Sequence, residues 1–286
     1  MKVLIIGSNG IIGSGIISNL NQKGYKVFLI NRSKPKFKKA NYFRIDYYKE
    51  EKKLKKLVDK HKFEIVINLI CYNRNQAKRD YNLFKRHISK YIFISSTSVY
   101  KNTREKINEQ SLIQKKSDSY VMGKIEAENF FRFSTNNFPF IILRICQIYG
   151  NDNIPTLFKK RNFSVLNDMY LNKRIILIKN FKNIWKILSA NDLGKIISKI
   201  IYSKNTKLFK NIFNIVPDKT YTWEKIYKIY SRVENDKFRV ENISLEKIKK
   251  QNKDIYQHLI FDKLKNANFE NKKIFKIIPK PKFSNF

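Results

Sequence analysis

Two residues four positions apart, Tyr120 and Lys124, have the types and spacing needed for acid–base chemistry. The apolar periodicity from 120 to 133 predicts a helix, on which this spacing places both side chains on one face. An ammonium group beside a phenol favours the phenolate and lowers its pKa from about 10 toward neutrality. Tyr120 could then exchange a proton with a hydroxyl or carbonyl group. The alternative is a surface tyrosine beside a solvated lysine, since both residue types are abundant here.

A run of hydroxyl side chains, Ser95 to Ser98, lies about 25 residues before this pair. It follows the predicted strand 91–95, and the ends of strands are where open α/β sheets bind ligands. A hydroxyl at that point could hold a substrate oxygen for Tyr120. The alternative is a polar turn without chemistry.

Half of the chain's 8 glycines lie in the first fifteen residues, between a short apolar strand at 3–6 and a predicted helix at 11–22. Gly7 would make the tight turn, Gly10 would let a pyrophosphate approach the backbone, and Gly13 would let the helix pack on the strand. The spacing G-x-x-G-x-x-G therefore predicts a dinucleotide phosphate at a helix N-terminus. A loop that only needs positive φ angles is the alternative.

Strand and helix patterns alternate along the chain, which predicts an α/β fold with a doubly wound parallel sheet. Further strands are predicted at 174–178, 184–188 and 212–216, and helices at 191–203 and 222–232, the latter with Thr222 as its N-cap. No apolar run is long enough to span a membrane, and no signal peptide is recognised. With only two cysteines, Cys71 and Cys146, in apolar contexts, we predict a cytoplasmic protein without a metal site.

The formal charge of +37 is open to three interpretations. It can reflect the Lys-, Asn- and Ile-rich composition of an A/T-rich genome, attraction of anionic substrates such as nucleotide-linked sugars, or binding to nucleic acid. Denser basic groups occur at 34–39, 52–56 and 272–282, but no single basic arm stands apart. Nucleic acid is therefore disfavoured as a partner without being excluded.

Taken together and in order, these motifs resemble the extended short-chain dehydrogenase/reductase family, and within it the NAD-dependent epimerase/dehydratase group. The matching stretches are GSNGIIGSGI (7–16), YIFISSTSVY (91–100), YVMGK (120–124), LRICQIYG (143–150), WKILSANDL (185–193) and NIFNIV (211–216). The resemblance implies a Rossmann domain over 1–150, to which 181–216 returns. It also implies a smaller C-terminal substrate lobe, formed by 151–180 and 217–286, which usually holds a nucleotide-sugar.

The resemblance also implies roles for individual residues. Tyr120 would be the catalytic acid/base, Lys124 would lower its pKa and bind the nicotinamide ribose, and Ser96, or failing that Thr97, would be the catalytic hydroxyl. Asp46 would lie near the adenine. The expected cofactor-binding set is Gly7, Asn9, Gly10, Ile11, Ile12, Gly13, Asn31, Arg32, Ser33, Asp46, Lys124, Ile145 and Gln147.

The cofactor is predicted to be NADP or NAD, with NADP favoured. NAD-preferring sites carry a carboxylate at the end of the second strand, whereas this chain has Asn31 there, followed by Arg32 and Ser33. An arginine and a hydroxyl suit a 2′-phosphate better than a free ribose. The alternative is that these charges only follow the basic composition.

The leading hypothesis is an epimerase acting on a nucleotide-linked sugar by hydride transfer. A keto-sugar reductase that uses NADPH would need the same residues, and an RNA-binding or regulatory protein on the same fold is a third hypothesis. Dehydratases of the family commonly have Asp-Glu after the catalytic hydroxyl, where this chain has Thr97-Ser98, which argues against a 4,6-dehydratase. Family members often form homodimers through the helix that carries the tyrosine, so a homodimer is expected by the same resemblance.

Overall fold

Seven parallel strands form the central sheet of the protein, seen in a computed structural model that describes residues 1–34, 40–150, 154–158, 171–172, 174–232 and 239–286. The strands are β1 (Lys2–Ile6), β2 (Lys26–Asn31), β3 (Asn41–Arg44), β4 (Ile65–Asn68), β5 (Lys90–Ser96), β6 (Phe140–Ile145) and β11 (Asn211–Ile215). Their order across the sheet is β11-β6-β5-β4-β1-β2-β3. The predicted doubly wound parallel sheet is confirmed.

The strand order reverses at β1. From β1 the chain proceeds through β2 and β3 to one edge, and from β4 through β5 and β6 toward the other. A crevice therefore opens between the carboxyl ends of β1 and β4, where sheets of this topology bind ligands. The glycine turn, which follows β1 directly, lies at this crevice.

Helices cover both faces of the sheet because its strands are apolar on both sides. The main helices are α1 (Ile11–Asn21), α2 (Glu51–His61), α3 (Arg74–Phe84), α4 (Ser119–Ser134) and α5 (Ala190–Tyr202). Val3 and Ile5 of β1 join the core that contains α1 and α5. Leu4 and Ile6 join the core that contains side chains of α2, α3 and α4. Such near-continuous burial is typical of parallel strands packed on both faces.

Helices α1 and α5 touch through their backbones. A Cβ atom on Gly15 would lie 2.0 Å from the carbonyl oxygen of Ala190, and one on Gly194 would lie 2.1 Å from that of Gly15. Asn19 of α1 donates across this contact to the Asn191 side chain at 2.8 Å. The contact joins residues 190–202 to the N-terminal half of the chain.

The remaining described strands form three two-stranded pairs, outside the main sheet. They are β7 (Gln147–Tyr149) with β10 (Ile187–Ser189), β8 (Arg174–Ile178) with β13 (Arg239–Ile243), and β9 (Ile184–Trp185) with β12 (Tyr221–Thr222). The helices in this part are α6 (Trp223–Arg232), α7 (Leu245–Gln251), α8 (Lys253–His258) and α9 (Lys272–Phe275). Thr222 caps α6 as predicted, since its hydroxyl accepts from the Lys225 N–H at 3.2 Å.

One predicted strand, 184–188, is instead two strands that separate at Lys186. The Lys186 ammonium is buried and donates to the carbonyl oxygens of Pro217 (2.6 Å) and Asp218 (2.7 Å). The two pieces pair with different strands, β9 with β12 and β10 with β7, so the chain changes partner at Lys186.

The proposed division into a dinucleotide domain and a lobe stays a prediction. Outside the described residues lie 151–153, 159–170, 173 and 233–238 of the predicted lobe, and 35–39 of the predicted basic group. Within the described ranges, no helix is both long and apolar enough to cross a bilayer.

Candidate active site and cofactor cleft

The glycine turn has the geometry that its spacing predicts. Gly7 has a φ of +79°, and a Cβ atom there would lie 2.3 Å from Cγ2 of Ile70. Gly13 passes so close to the turn that a Cβ atom would lie 2.0 Å from the Ser8 carbonyl oxygen. A Cβ atom on Gly10, by contrast, would lie in open space. Gly10 is also the exposed N-cap of α1, and no side chain caps this helix end.

A cavity of about 370 Å³, here called the turn cavity, adjoins the glycine turn. Its lining includes six of the predicted cofactor residues: Gly7, Asn9, Asn31, Arg32, Ser33 and Asp46. Sequence reasoning missed the lining residues Tyr47, Tyr48, Ile70, Tyr72 and Gln76, which come from segments after β3 and β4. The Asp46 carboxylate accepts from the Tyr48 N–H at 3.2 Å and stays half-buried at the cavity wall.

The Asn31 side chain is hydrogen-bonded to the glycine turn. Its carboxamide oxygen accepts from the Ser8 N–H at 2.6 Å, and its amide nitrogen donates to the Ser8 hydroxyl at 2.9 Å. The Asn9 side chain donates to the Ser33 hydroxyl at 2.8 Å and so joins the turn to the loop after β2. Arg32 and Ser33 are exposed where this loop meets the cavity. The end of β2 therefore offers an amide, a guanidinium and a hydroxyl, and no carboxylate.

A second cavity, of about 400 Å³ and here called the hydroxyl cavity, opens at the ends of β5 and β6. Its lining brings together the predicted residues Ile11, Ile12, Ser96, Thr97, Tyr120, Ile145 and Gln147. Ser96 is partly exposed, and Tyr120 is 45% exposed. Ser98 of the predicted hydroxyl run and Cys146, the neighbour of Ile145 and Gln147, also line it. Asp118, Val121, Ile148 and Trp185 line it as well and were not predicted for the site. The tyrosine and the strand-end hydroxyls thus share one space, although 24 residues separate Ser96 from Tyr120 in the chain.

Lys124 lines neither cavity. Its ammonium is buried and donates to the carbonyl oxygens of Cys71 (2.7 Å) and Ile94 (2.8 Å). It lies 4.8 Å from the ring centroid of Tyr72, which lines the turn cavity, and 5.8 Å from that of Tyr120, which lines the hydroxyl cavity. Burial lowers the pKa of Lys124 to about 8. Lys124 therefore lies beneath the rings that line the two cavities, and its contact with a ribose remains a prediction.

Helix α4 positions Tyr120 through its first turn. Asp118 is its N-cap and accepts from the Val121 N–H at 2.9 Å, so Tyr120 projects from the first turn of a capped helix. Asp118, a residue type favoured at N-caps, carried this signal in the sequence. Further on, a Cβ atom on Gly123 would lie 2.0 Å from the Tyr72 carbonyl oxygen, which shows how closely α4 approaches the loop after β4.

A buried ion pair links α4 to the two strands that end at the hydroxyl cavity. Glu128 of α4 accepts from Arg144 of β6 at 2.5 Å and from the Ser95 hydroxyl of β5 at 2.5 Å. Arg144 is 1% exposed and Glu128 is 2% exposed. The Arg144 guanidinium also lies 4.7 Å from the Tyr100 ring centroid. This network sets the position of Ser96 relative to Tyr120 without lining the cavity.

Hydroxyl, phenol, amide and guanidinium side chains line the two cavities. Across the described parts of the chain, no group of three or more His, Cys, Asp or Glu side chains is arranged to hold a metal ion. Cys71 and Cys146 are buried free thiols, and burial raises the pKa of Cys146 to about 12, so neither is poised as a thiolate.

Comparison with solved structures gives the same architecture. A UDP-glucuronic acid 4-epimerase from Bacillus cereus, solved with UDP-glucuronic acid and NAD, has a TM-score of 0.76 at 16% identity, covering 100% of this chain and 95% of its own. A putative epimerase from Burkholderia cenocepacia J2315 has a TM-score of 0.79 at 14% identity, with coverages of 99% and 93%. A dTDP-glucose 4,6-dehydratase from Bacillus anthracis, solved with NAD, has a TM-score of 0.74 at 16% identity, with coverages of 97% and 90%. These TM-scores, over nearly the whole of each chain, establish a shared fold.

Among curated protein sequences, none is significantly similar to this chain. The model of the NAD-dependent epimerase/dehydratase family, however, matches residues 3–215, which include the glycine turn, the strand-end hydroxyls and the Tyr120–Lys124 pair. The chain therefore belongs to the NAD-dependent epimerase/dehydratase family and is an NAD-dependent enzyme of the extended short-chain dehydrogenase/reductase type.

Proposed function

We propose that the protein is an epimerase-type oxidoreductase that acts on a nucleotide-linked sugar by hydride transfer. The observation that carries this proposal is the hydroxyl cavity, in which Ser96, Thr97 and Tyr120 face the same space as Ile145 and Gln147. Similar structures of a UDP-glucuronic acid 4-epimerase and a dTDP-glucose 4,6-dehydratase, one of them with its nucleotide-sugar bound, support this substrate class.

The residues present fit a dinucleotide. The uncapped N-terminus of α1 at Gly10 suits a pyrophosphate, because free N–H groups and the helix dipole both favour an anion. The turn cavity, with Asp46 and the Tyr48 and Tyr72 rings in its wall, would hold the adenosine end. Ile145 and Gln147 would flank the nicotinamide end in the hydroxyl cavity. When bound, the nicotinamide would accept and return a hydride.

The chain's own residues would then handle the proton and the orientation of the sugar. Ser96, or Thr97 beside it, would hold the reacting sugar oxygen by a hydrogen bond. Tyr120 would take the proton from that hydroxyl as the sugar is oxidised and return it when the opposite face is reduced. Buried Lys124, 5.8 Å from the centre of the Tyr120 ring, would favour the phenolate while its ammonium is charged.

The test combines ligand identification with one substitution. Mass spectrometry of the purified protein should identify a dinucleotide and a nucleotide-sugar that co-purify or bind on addition. Tyr120→Phe should then lower turnover of that sugar by about a thousandfold, because the proton acceptor is lost, with unchanged dinucleotide affinity. The control is Tyr202→Phe, which removes a hydroxyl from a 79% exposed tyrosine on α5 and should leave turnover unchanged. Turnover that survived Tyr120→Phe would refute the assignment.

A second candidate, an NADPH-dependent keto-sugar reductase, is favoured by the end of β2. The Asn31 carboxamide is engaged by Ser8, while the exposed Arg32 side chain lines the turn cavity and would approach a 2′-phosphate there. The Ser33 hydroxyl, which accepts from Asn9, lies at the same wall. A reductase would take up the reduced cofactor and release the oxidised one, with Tyr120 donating the proton. An epimerase would retain one dinucleotide through many turnovers.

Cofactor choice can be measured directly. Arg32→Ala should weaken NADPH binding by about tenfold, because a charge-assisted contact with the 2′-phosphate is lost, and should change NADH binding less than twofold. Arg132→Ala, on the exposed surface of α4, removes the same charge and serves as the control. An equal loss for both cofactors would contradict the NADP preference. Retention of bound dinucleotide through gel filtration would favour the epimerase over the reductase.

A further inference from the structure

Lys263, which lies outside the residues matched by the family model, reaches the wall of the hydroxyl cavity. It ends a single π-helical turn, Leu259–Lys263, in which the Leu264 N–H donates to the Leu259 carbonyl oxygen at 2.8 Å. Such turns are rare and occur frequently at functional sites. Lys263 is 1% exposed and does not itself line the cavity. Any effect of its ammonium on a ligand must therefore pass through the residues that it contacts.

The Lys263 ammonium contacts residues of the cavity wall. It donates to the side-chain oxygen of Gln147 at 2.8 Å and lies 5.1 Å from the ring centroid of Trp185. Both of these residues line the hydroxyl cavity. The ammonium also lies 5.8 Å from the ring centroid of Trp223, whose indole N–H donates to the Lys263 carbonyl oxygen at 3.4 Å. Two indole rings thus hold the lysine beside Gln147.

This contact fixes the orientation of the Gln147 carboxamide. An ammonium group can only donate hydrogen bonds, so Lys263 faces the amide oxygen and not the amide nitrogen. Among the described residues, that nitrogen has one hydrogen bond, to the Ile148 carbonyl oxygen at 3.5 Å, which is longer than the usual length of about 2.7–3.2 Å. Because Gln147 is half-buried at the cavity wall, its N–H groups remain able to donate to a ligand.

The backbone beside Lys263 is held by contacts of its own. Lys265, 8% exposed, donates to the carbonyl oxygen of Ser98 at 3.0 Å, and Ser98 also lines the hydroxyl cavity. The carbonyl oxygen of Leu264 accepts from the Asn183 amide at 2.6 Å. Since these contacts fix the chain on which Lys263 stands, its side chain can set the orientation of the amide that it meets.

We propose that Lys263 is a positioning residue, which turns the Gln147 carboxamide so that its N–H groups donate to an oxygen of the ligand in the hydroxyl cavity. This rests on the proposed function, in which Gln147 flanks the nicotinamide end beside the sugar. The acceptor is a neutral oxygen of the nicotinamide carboxamide or of the sugar, which a neutral amide donor can recognise. Without Lys263, the carboxamide would present its oxygen as readily as its nitrogen, and the donor would be lost for part of the time.

The test is a double-mutant cycle on binding. Affinity for NAD and for NADP is measured by isothermal titration calorimetry, and KM is measured with the nucleotide-sugar identified by mass spectrometry. Lys263→Met removes the ammonium but keeps an unbranched apolar side chain between the indole rings, and Gln147→Ala removes the amide. Each should weaken binding of the dinucleotide or of the sugar by about three- to tenfold, since a hydrogen bond is lost. The double variant should lose no more than Gln147→Ala alone, because the lysine acts through the amide.

Two conservative variants separate positioning from a merely structural role. Gln147→Glu keeps an acceptor for Lys263 but carries no N–H, so it should fold as stably as the natural protein and still weaken binding as Gln147→Ala does. Lys263→Arg keeps a charged donor and should bind more tightly than Lys263→Met.

Lys273 provides a matched control. Its ammonium also donates to a carboxamide oxygen, that of Asn211 at 2.9 Å, and lies 5.1 Å from the ring centroid of Phe213. Lys273 lines neither the turn cavity nor the hydroxyl cavity. Lys273→Met should therefore change the affinities and KM less than about twofold.

Each outcome decides the proposal. Weaker dinucleotide binding would assign the acceptor to the nicotinamide, and a raised KM with unchanged dinucleotide affinity would assign it to the sugar. Additive losses in the double variant, unchanged binding of both ligands, or natural binding by Gln147→Glu would overturn the role of Lys263. If no nucleotide-sugar is turned over, the proposed function fails, and dinucleotide affinity alone then decides: non-additive losses support the role, and unchanged affinity overturns it.

Discussion

The buried pair of Glu128 and Arg144 permits a quantitative test of how the active site is held together. Glu128→Gln keeps the shape of the side chain but leaves the Arg144 guanidinium, 1% exposed, facing a neutral amide. Removing one partner of a buried ion pair typically costs about 3–5 kcal/mol, because the other charge stays buried without compensation. Glutamine retains one acceptor oxygen, so we expect a loss near the lower end, about 3 kcal/mol.

The free energy of unfolding is measured by urea denaturation, followed by circular dichroism. Glu126→Gln is the matched control, since it removes the same charge from an exposed position on the same helix and should cost less than about 0.5 kcal/mol. Because Ser95 also donates to Glu128, the substitution should disturb the end of β5 and lower turnover even where the protein remains folded.

A double-mutant cycle separates the pair from its surroundings. Arg144→Met alone should be as costly as Glu128→Gln, whereas Glu128→Gln/Arg144→Met removes both charges and should cost less than the sum of these two single losses by about 2 kcal/mol or more. Additive losses, or a Glu128→Gln variant as stable as the Glu126→Gln control, would refute the view that this pair holds α4 against β5 and β6.

Two further predictions concern the glycine turn and the buried lysine. Gly10→Val should abolish dinucleotide binding in calorimetry without lowering the melting temperature, since its Cβ meets only open space, whereas Gly13→Ala should lose about 1–3 kcal/mol of stability because its Cβ would lie 2.0 Å from the Ser8 carbonyl oxygen. Destabilisation of both would contradict the assigned roles. The pKa of Lys124 is about 8 in the folded protein and near 10.4 when unfolded, so the unfolded chain binds more protons between these values and stability should rise with pH. From pH 7.5 to 9.5 the natural protein should gain on the order of 1–2 kcal/mol relative to Lys124→Met in urea denaturation, and no relative gain would show that burial does not depress this pKa.

The parallel sheet and the glycine turn could be predicted from the sequence because their signals are local. An apolar strand followed by closely spaced glycines indicates a tight turn within fifteen residues. At Gly7 and Gly13 neighbouring atoms do lie too close for a Cβ atom, as such spacing requires. Tyr120 and Ser96 could be placed at one cavity because each sits at a predictable end of an element. The prediction of one strand at 184–188 was wrong, since the chain changes pairing partner at Lys186 and the partner strands are distant in sequence.

Contacts between distant segments escaped sequence reasoning. Tyr72 and Trp185 lie in the cavity walls, and Glu128 meets Arg144 in the core, yet no periodicity or spacing links the members of these sets. Lys124 was predicted for the site, but its surroundings were not. Its spacing from Tyr120 predicts one helix face, but only the fold buries its ammonium against two backbone carbonyls beneath that face.

The fold class, the glycine turn and the residue types that stand at Ser96, Tyr120 and Lys124 follow from the sequence alone, because backbone preference and side-chain chemistry are properties of short segments. Tertiary structure decided which of those residues share a cavity, that Lys263 reaches the wall of that cavity, and how burial changes the pKa of Lys124. These outcomes depend on desolvation and on distances between elements far apart in the chain, and both arise only once the sheet and its helices have packed.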